Sequence, residues 1–168
     1  MHGSRGGRVL GLGLLVAAGC SAHAATPSHC APDEKVIFSC GTGAKIVSVC
    51  ASGDLSAGMG SLSYRFGPPG HPEMTYPPPG PWRDVTRSGT WMFSGGGGAW
   101  LAFHRETFRY IVYTAIGRGW GEKAGIAVEQ NGKRLMNLAC RGKPVSELGP
   151  DFFSESGIPD DDTPFDLP

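Results

Sequence analysis

The sequence has no excess of charge of either sign. In 168 residues, 15 Lys+Arg stand against 15 Asp+Glu, so no basic field exists to hold a nucleic-acid backbone, and no nucleic-acid partner is expected. No run of ~20 apolar residues is present, which argues against an integral membrane segment. No stretch of ~12 residues shows helical period, which argues against a helical bundle. The patterns G-x-S-x-G and G-x-x-x-x-G-K-[S/T] are absent, and the acidic residues are scattered. Gly117-Arg118-Gly119-Trp120-Gly121 has the look of a dinucleotide fingerprint, but no helix follows to receive a pyrophosphate. No enzyme and no cofactor are expected. Cys30, Cys40, Cys50 and Cys140 never stand at C-x-x-C pitch, and His29, His71 and His104 fall in no ligand pattern, so no metal is expected either.

Glycine and proline are abundant, at 27 and 14 residues without a G-x-y period, which is the composition of a turn-rich β domain. Arg5 and Arg8 precede an apolar run from Val9 to Gly19, and Ala22-His23-Ala24 forms an A-x-A site. Residues 1–24 therefore read as a secretory signal peptide and residues 25–157 as one β domain, followed by an acidic, Pro-rich tail over residues 158–168 that should hug the surface or fray. The periplasm of a bacterium is the expected location. Ala17-Ala18-Gly19-Cys20 offers a competing lipobox reading, with an outer-membrane lipoprotein anchored through Cys20. The four later cysteines imply two disulfides with three possible pairings. Joining Cys40 in the first strand to Cys140 in the last, and Cys30 to Cys50, is the arrangement we favour.

Period two and turn residues place the strands. KVIFSC (35–40) and KIVSVCA (45–51) flank Gly41-Thr42-Gly43-Ala44 as a hairpin, and Leu62, Tyr64 and Phe66 alternate with polar residues in a third strand. Glu73 to Tyr76 is a short fourth strand before Pro77-Pro78-Pro79-Gly80-Pro81, which cannot supply ladder N–H groups. GTWMFS (89–94) and AWLAFH (99–104) flank Gly95 to Gly98. With the four glycines as the tip, Ser94 faces Ala99, Phe93 faces Trp100 and Met92 faces Leu101. Thr107 to Ile116 is the longest strand, and Ala124 to Cys140 is a hairpin around Asn131-Gly132, in which Val128 opposes Leu135 and Glu129 opposes Arg134. A turn or two of helix is expected within Pro144 to Ser156, capped by Ser146 or Asp151. The whole predicts an all-β fold with little helix: a small antiparallel up-and-down β-barrel, or a closed β-sandwich, of about eight strands.

Four successive glycines cost more chain entropy on ordering than a plain hairpin requires. A narrow, side-chain-free tip that enters a cleft in another protein would use them. The F-S-G-G-G-G-A-W segment on a small secreted β domain with two disulfides resembles the bacterial periplasmic inhibitors of invertebrate-type lysozyme. In that family a serine–glycine loop followed by an aromatic residue plugs the enzyme's active-site cleft. The resemblance implies an inserting key made of Ser94, Gly95, Gly96, Gly97 and Gly98, with Trp100 in the place of a tyrosine, and a lysozyme as partner. Arg118 and Trp120, in the glycine-flanked turn after the long strand, are further candidate contacts because Arg and Trp are frequent interface anchors. The oligomeric state is open, and a homodimer through an exposed edge is compatible with the sequence. Two other readings remain. A glycan- or peptidoglycan-binding module would stack sugars on Trp82, Trp91, Trp100 and Trp120, and an enzyme would pair Ser94 with His104.

Overall fold

The computed structural model describes residues 1–3 and 27–168. The expected leader beyond its first three residues, its cleavage site before Ala25 and the alternative anchor Cys20 lie outside the described residues. Ten strands and one short helix follow. The first sheet contains β1 (Lys35–Gly41), β2 (Ile46–Ala51), β3 (Leu62–Gly67), β4 (Met74–Tyr76) and, on the outer side of β1, β10 (Arg141–Ser146). The second sheet is a meander of β5 (Thr86–Phe93), β6 (Gly96–Arg105), β7 (Phe108–Gly117), β8 (Gly121–Gln130) and β9 (Lys133–Ala139). All pairings within both sheets are antiparallel.

The expectation of an all-β fold with two disulfides holds, but as an open sandwich and not a closed barrel. Among the described residues no strand ladder joins the two sheets at either crossing. Between β4 and β5 lie Pro77, Pro78, Pro79 and Pro81, which have no N–H to donate, and a single 3-10 turn at Trp82–Asp84. Between β9 and β10 the chain turns a corner at Cys140, and Gly142 adopts φ 82 while Pro144 occupies an edge strand, where a missing N–H is tolerated. That glycine and proline hid β10 from period-two reading.

Alternation decides which side chains enter the core. Phe38, Val47, Val49, Ala51, Leu62 and Tyr64 of the first sheet meet Ala99, Leu101, Phe103, Val112 and Ile126 of the second. Cys40–Cys140 and Cys30–Cys50 are the two disulfides, the pairing favoured from sequence. The first ties β1 to the corner where the chain leaves the second sheet. The second fastens the segment before β1 over the outside of the first sheet, where His29 N–H donates to Ser48 Oγ at 3.0 Å and Arg65 donates to both Glu34 oxygens at 2.7 Å. Burial raises the Glu34 carboxyl, but the Arg65 hydrogen bonds, the Ala31 N–H and the Arg65 charge outweigh it and hold the group below its ordinary value.

The Asn131-Gly132 turn forms as expected, both residues having positive φ (51 and 73), which is the type I′ geometry. Glu129 opposes Arg134, but a bulge after Val128 pairs that residue with Met136 and leaves Leu135 exposed, correcting the expected Val128–Leu135 pair. The helix α1 (Pro150–Ser156) begins at Gly149 without a side-chain cap and ends on Gly157 in the left-handed region. Ser146 Oγ instead accepts from Leu148 N–H at 3.3 Å.

Candidate functional site

The β5–β6 hairpin is tighter than the glycine count suggests. Phe93 pairs with Gly96, Met92 with Gly97, Trp91 with Gly98 and Gly89 with Trp100. The turn is therefore Ser94-Gly95 alone, with Gly95 at φ 85, and Gly96, Gly97 and Gly98 belong to β6. This corrects the expected register, in which Ser94, Phe93 and Met92 faced Ala99, Trp100 and Leu101. The cause is packing of indole rings on bare backbone. A Cβ at Gly89 would lie 2.4 Å from Trp100 Cζ2, and one at Gly98 would lie 2.8 Å from Trp91 Cε3. Each strand carries a G-x-W triplet, Gly89-Thr90-Trp91 and Gly98-Ala99-Trp100, and antiparallel pairing sets each indole against the opposite glycine. A third case follows at the next turn, where the Trp120 ring lies over Gly117. Aromatic coverage of strand glycines stabilises a sheet that those glycines would otherwise weaken.

Two turns meet at this end of the second sheet. Arg118 N–H donates to Gly95 O at 3.1 Å, and the Arg118 side chain lies alongside Gly95. Trp120 meets Phe93 edge to face at 5.8 Å, and Phe93 stacks on Trp91 at 6.3 Å. Lys123 lies over the Trp120 ring at 5.5 Å. The structure thus brings together Ser94, Gly95, Arg118 and Trp120. Ser94, Gly95 and Arg118 are exposed, and Trp120 is 41% exposed. It does not bring Trp100 with them. That ring is 4% exposed, covered by Phe165 and by the Arg109 guanidinium 5.4 Å from its centroid. Ser94 and His104 do not meet either. His104 sits near the far end of β6, roughly 25 Å along the strand at ~3.3 Å per residue, where its Nε2 pairs with Asp161 Oδ2 at 2.9 Å.

Sequence reading missed two tip residues. Met92 and Ile116 project from the inner face of the second sheet beyond the edge of the first and are 91% and 61% exposed. They border a groove of about 690 Å3 that runs beneath the tip toward Pro144, Leu148 and Pro150. Period-two alternation marks both as inward-facing, and only the shorter reach of the first sheet leaves them uncovered. Among the described residues, no helix is long and apolar enough to cross a membrane.

Of the two alternatives expected for the C-terminal tail, a surface-hugging or a frayed end, the structure shows the first. Ile158 and Phe165 are buried, and Ser88 donates its N–H to Pro159 O while accepting from Asp161 N–H. The tail crosses the outer face of the second sheet as a strap.

No family model matches this chain, and neither a curated protein nor a solved structure shows a match.

Proposed function

We propose that the chain is an exported binding protein that inhibits a lysozyme of the invertebrate type by seating the β5–β6 tip in the enzyme's active-site cleft. The observation that carries this reading is the composition of the tip. A two-residue turn bearing one hydroxyl stands beside an exposed arginine, ringed by the exposed Met92, Ile116 and Trp120. Exposed apolar side chains gathered at one end, with a cation and an aromatic anchor among them, are the makings of a protein interface. Two disulfides suit an oxidising compartment outside the cytoplasm.

The chemistry of the target fits these groups. Lysozymes flank the scissile bond with two carboxyls, one protonated and one ionised. The Ser94 hydroxyl can donate to one and accept from the other. Arg118 adds a charge-assisted donor beside the ionised acid, and Gly95 lets the backbone approach where a side chain would clash. A complex of this kind buries ~1,600 Å2 in total, so Met92, Ile116 and Trp120 would rest on the cleft rim. The glycan-binding reading has less support, because Trp82 and Trp100 are buried and Trp91 is covered by Phe165, leaving no row of open indoles.

The test titrates the disulfide-bonded protein into lysozymes of the invertebrate, chicken and goose types while following cell-wall lysis, beside Ser94→Ala and Arg118→Ala. We expect near-stoichiometric inhibition of the invertebrate-type enzyme, weakened about tenfold or more in each variant, since a lost charge-assisted hydrogen bond costs ~1.5–3 kcal/mol. Lysis by the invertebrate-type enzyme left unaffected would refute the reading.

A further inference from the structure

The strap makes two kinds of contact with the second sheet, and they change character at Asp161. Up to that residue the tail is part of the fold. Ile158 is buried, the Pro159–Asp161 segment extends the β5 ladder, and the Asp161 carboxylate meets His104 at 2.9 Å and Arg109 at 3.4 Å. Beyond Asp161 no ladder bond to the sheet remains. Instead, side chains of the sheet donate to one strap carbonyl after another. Arg109 donates to Thr163 O at 3.1 Å and Pro164 O at 3.4 Å, Trp91 Nε1 to Phe165 O at 2.9 Å, Arg134 to Asp166 O, and Lys123 to Pro168 O at 2.7 Å. Donors of this kind read main chain, not side chains.

One side chain of the strap is read in detail. Phe165 is 2% exposed. Its ring packs against Trp91 at 5.6 Å, Tyr113 at 5.7 Å and Trp100 at 5.8 Å, and the Arg134 guanidinium lies 4.8 Å over it. The neighbouring Asp162, Thr163, Pro164 and Asp166 are exposed. Arg109 and Arg134 are themselves paired with the buried Glu129, and Arg109 also with Asp161, so what they offer the strap is N–H donors to its carbonyls and not a net charge. Arg109 Nε and Arg134 Nε are buried without a hydrogen-bond partner. The resident segment therefore leaves two N–H donors of the groove unused.

We propose that the outer face of the second sheet is a peptide-binding groove in which residues 162–168 are a resident, exchangeable ligand. Its intended occupant is an extended segment of a partner polypeptide with an aromatic residue in the place of Phe165. The carbonyl-directed donors supply affinity for any extended chain. The Trp91–Trp100–Tyr113 pocket supplies the selection for an aromatic ring, as the alternate pockets of peptide-binding sheets do. The resident tail competes as a tethered ligand, whose effective concentration is in the millimolar range for a short tether.

The experiment uses a fluorescein-labelled peptide with the sequence of residues 160–168 and a second peptide with alanine at the position of Phe165. Binding is read by anisotropy and by emission of the protein's tryptophans, for the unaltered protein, for Phe165→Ala, and for a chain ended after Asp162 that keeps the Asp161 contacts. We expect the phenylalanine peptide to bind both altered proteins at least tenfold more tightly than the unaltered one, with a change in tryptophan emission, and the alanine peptide to bind none of them. Equal affinity for all three proteins, no binding to any, or equal binding of the two peptides would overturn the proposal. So would loss of folding in both altered proteins, because the tail would then be core and not ligand.

Discussion

Alanine at Gly98 tests whether the glycine run is a strand built around indoles or a loop of little consequence. A Cβ there would lie 2.6 Å from both the Ala115 Cβ and the Thr114 carbonyl oxygen and 2.8 Å from Trp91 Cε3, whereas carbon contacts settle near ~3.5–4.0 Å. Two of these neighbours are held by the β6–β7 ladder, and the third is an indole pinned by its bond to Phe165 O. Relief therefore requires backbone movement, and overpacking of this kind costs ~1–3 kcal/mol. Against this, replacing glycine by alanine restricts the unfolded chain and returns ~0.4–1 kcal/mol. The net expectation for Gly98→Ala is a loss of about 1–2 kcal/mol. Gly41→Ala is the matched control, because a Cβ at that strand position meets nothing within 4 Å and its φ is not positive, so it should be neutral or gain up to ~1 kcal/mol. Urea unfolding with a slope of ~1–3 kcal/mol/M would separate the two midpoints by roughly 1 M. Coincident midpoints would refute the argument and return the four glycines to the status of a slack loop.

Three further outcomes follow from the packing. Removing Cys40–Cys140, whose ends are 100 residues apart, should cost about 4.7 kcal/mol on the chain-entropy model, against roughly 3 kcal/mol for Cys30–Cys50 with a separation of 20; paired cysteine-to-alanine variants compared by denaturation measure both, and equal losses would contradict the ordering. The Glu34 carboxyl is held below its ordinary value of 4.5 in the fold, so its ion pair with Arg65 stabilises fully above the unfolded value and is lost as pH falls through the lower folded one. Glu34→Gln should accordingly be less stable than the unaltered protein at neutral pH and lose less stability between about pH 5 and pH 3, and parallel pH profiles would count against it. Arg109 lies between Glu129 and Asp161 at 3.4 Å from each, and all three side chains are at least nine-tenths buried; Arg109→Met should cost ~3–5 kcal/mol by leaving two carboxylates facing each other, and a loss below 1 kcal/mol in thermal unfolding would show that Arg134 and His104 suffice to neutralise them.

Much of this fold is legible because three signals are local. Side-chain alternation identifies β3, β-branched and apolar-rich runs identify β1, β2 and β7, and Asn131-Gly132 identifies the β8–β9 turn from two residues. The β5–β6 register was open to the same treatment. Matching the two G-x-W triplets places each indole on a glycine and leaves Ser94-Gly95 as the turn, but treating Gly95 to Gly98 as a unit suppresses that reading. Other features depend on distance relations that no local pattern carries. Whether ten strands close into a barrel depends on two crossings between sheets, and β10 is masked by Gly142 and Pro144. The exposure of Met92 and Ile116 depends on how far the first sheet reaches beneath the second. The tail's Asp and Pro residues suggest solvent, while Ile158, Phe165 and Leu167 are its opposing signal. Those apolar residues acquire meaning only once Trp91, Trp100 and Tyr113 are seen to share one face.

The two ends of the described chain do the same job on opposite sides of the sandwich. The segment before β1 is bound over the first sheet by Cys30–Cys50 and the Arg65–Glu34 pair, and the strap after α1 is bound over the second by Asp161 and Phe165. Such covers bury apolar surface that an outer face would otherwise expose, chiefly Trp91, Trp100 and Tyr113 on the second sheet, and they supply hydrogen-bond partners to the polar groups buried with it, Ser48 on one side and Arg109 on the other. With both outer faces covered, the second sheet still runs past the first at one end, and the turns at Ser94-Gly95 and Arg118-Trp120 are held there by the Arg118–Gly95 hydrogen bond and by rings laid on glycines. The rigidity of the tip thus comes from the strands behind it and not from the turn residues. On the proposed reading, that division would spare binding the entropic cost that four free glycines would impose.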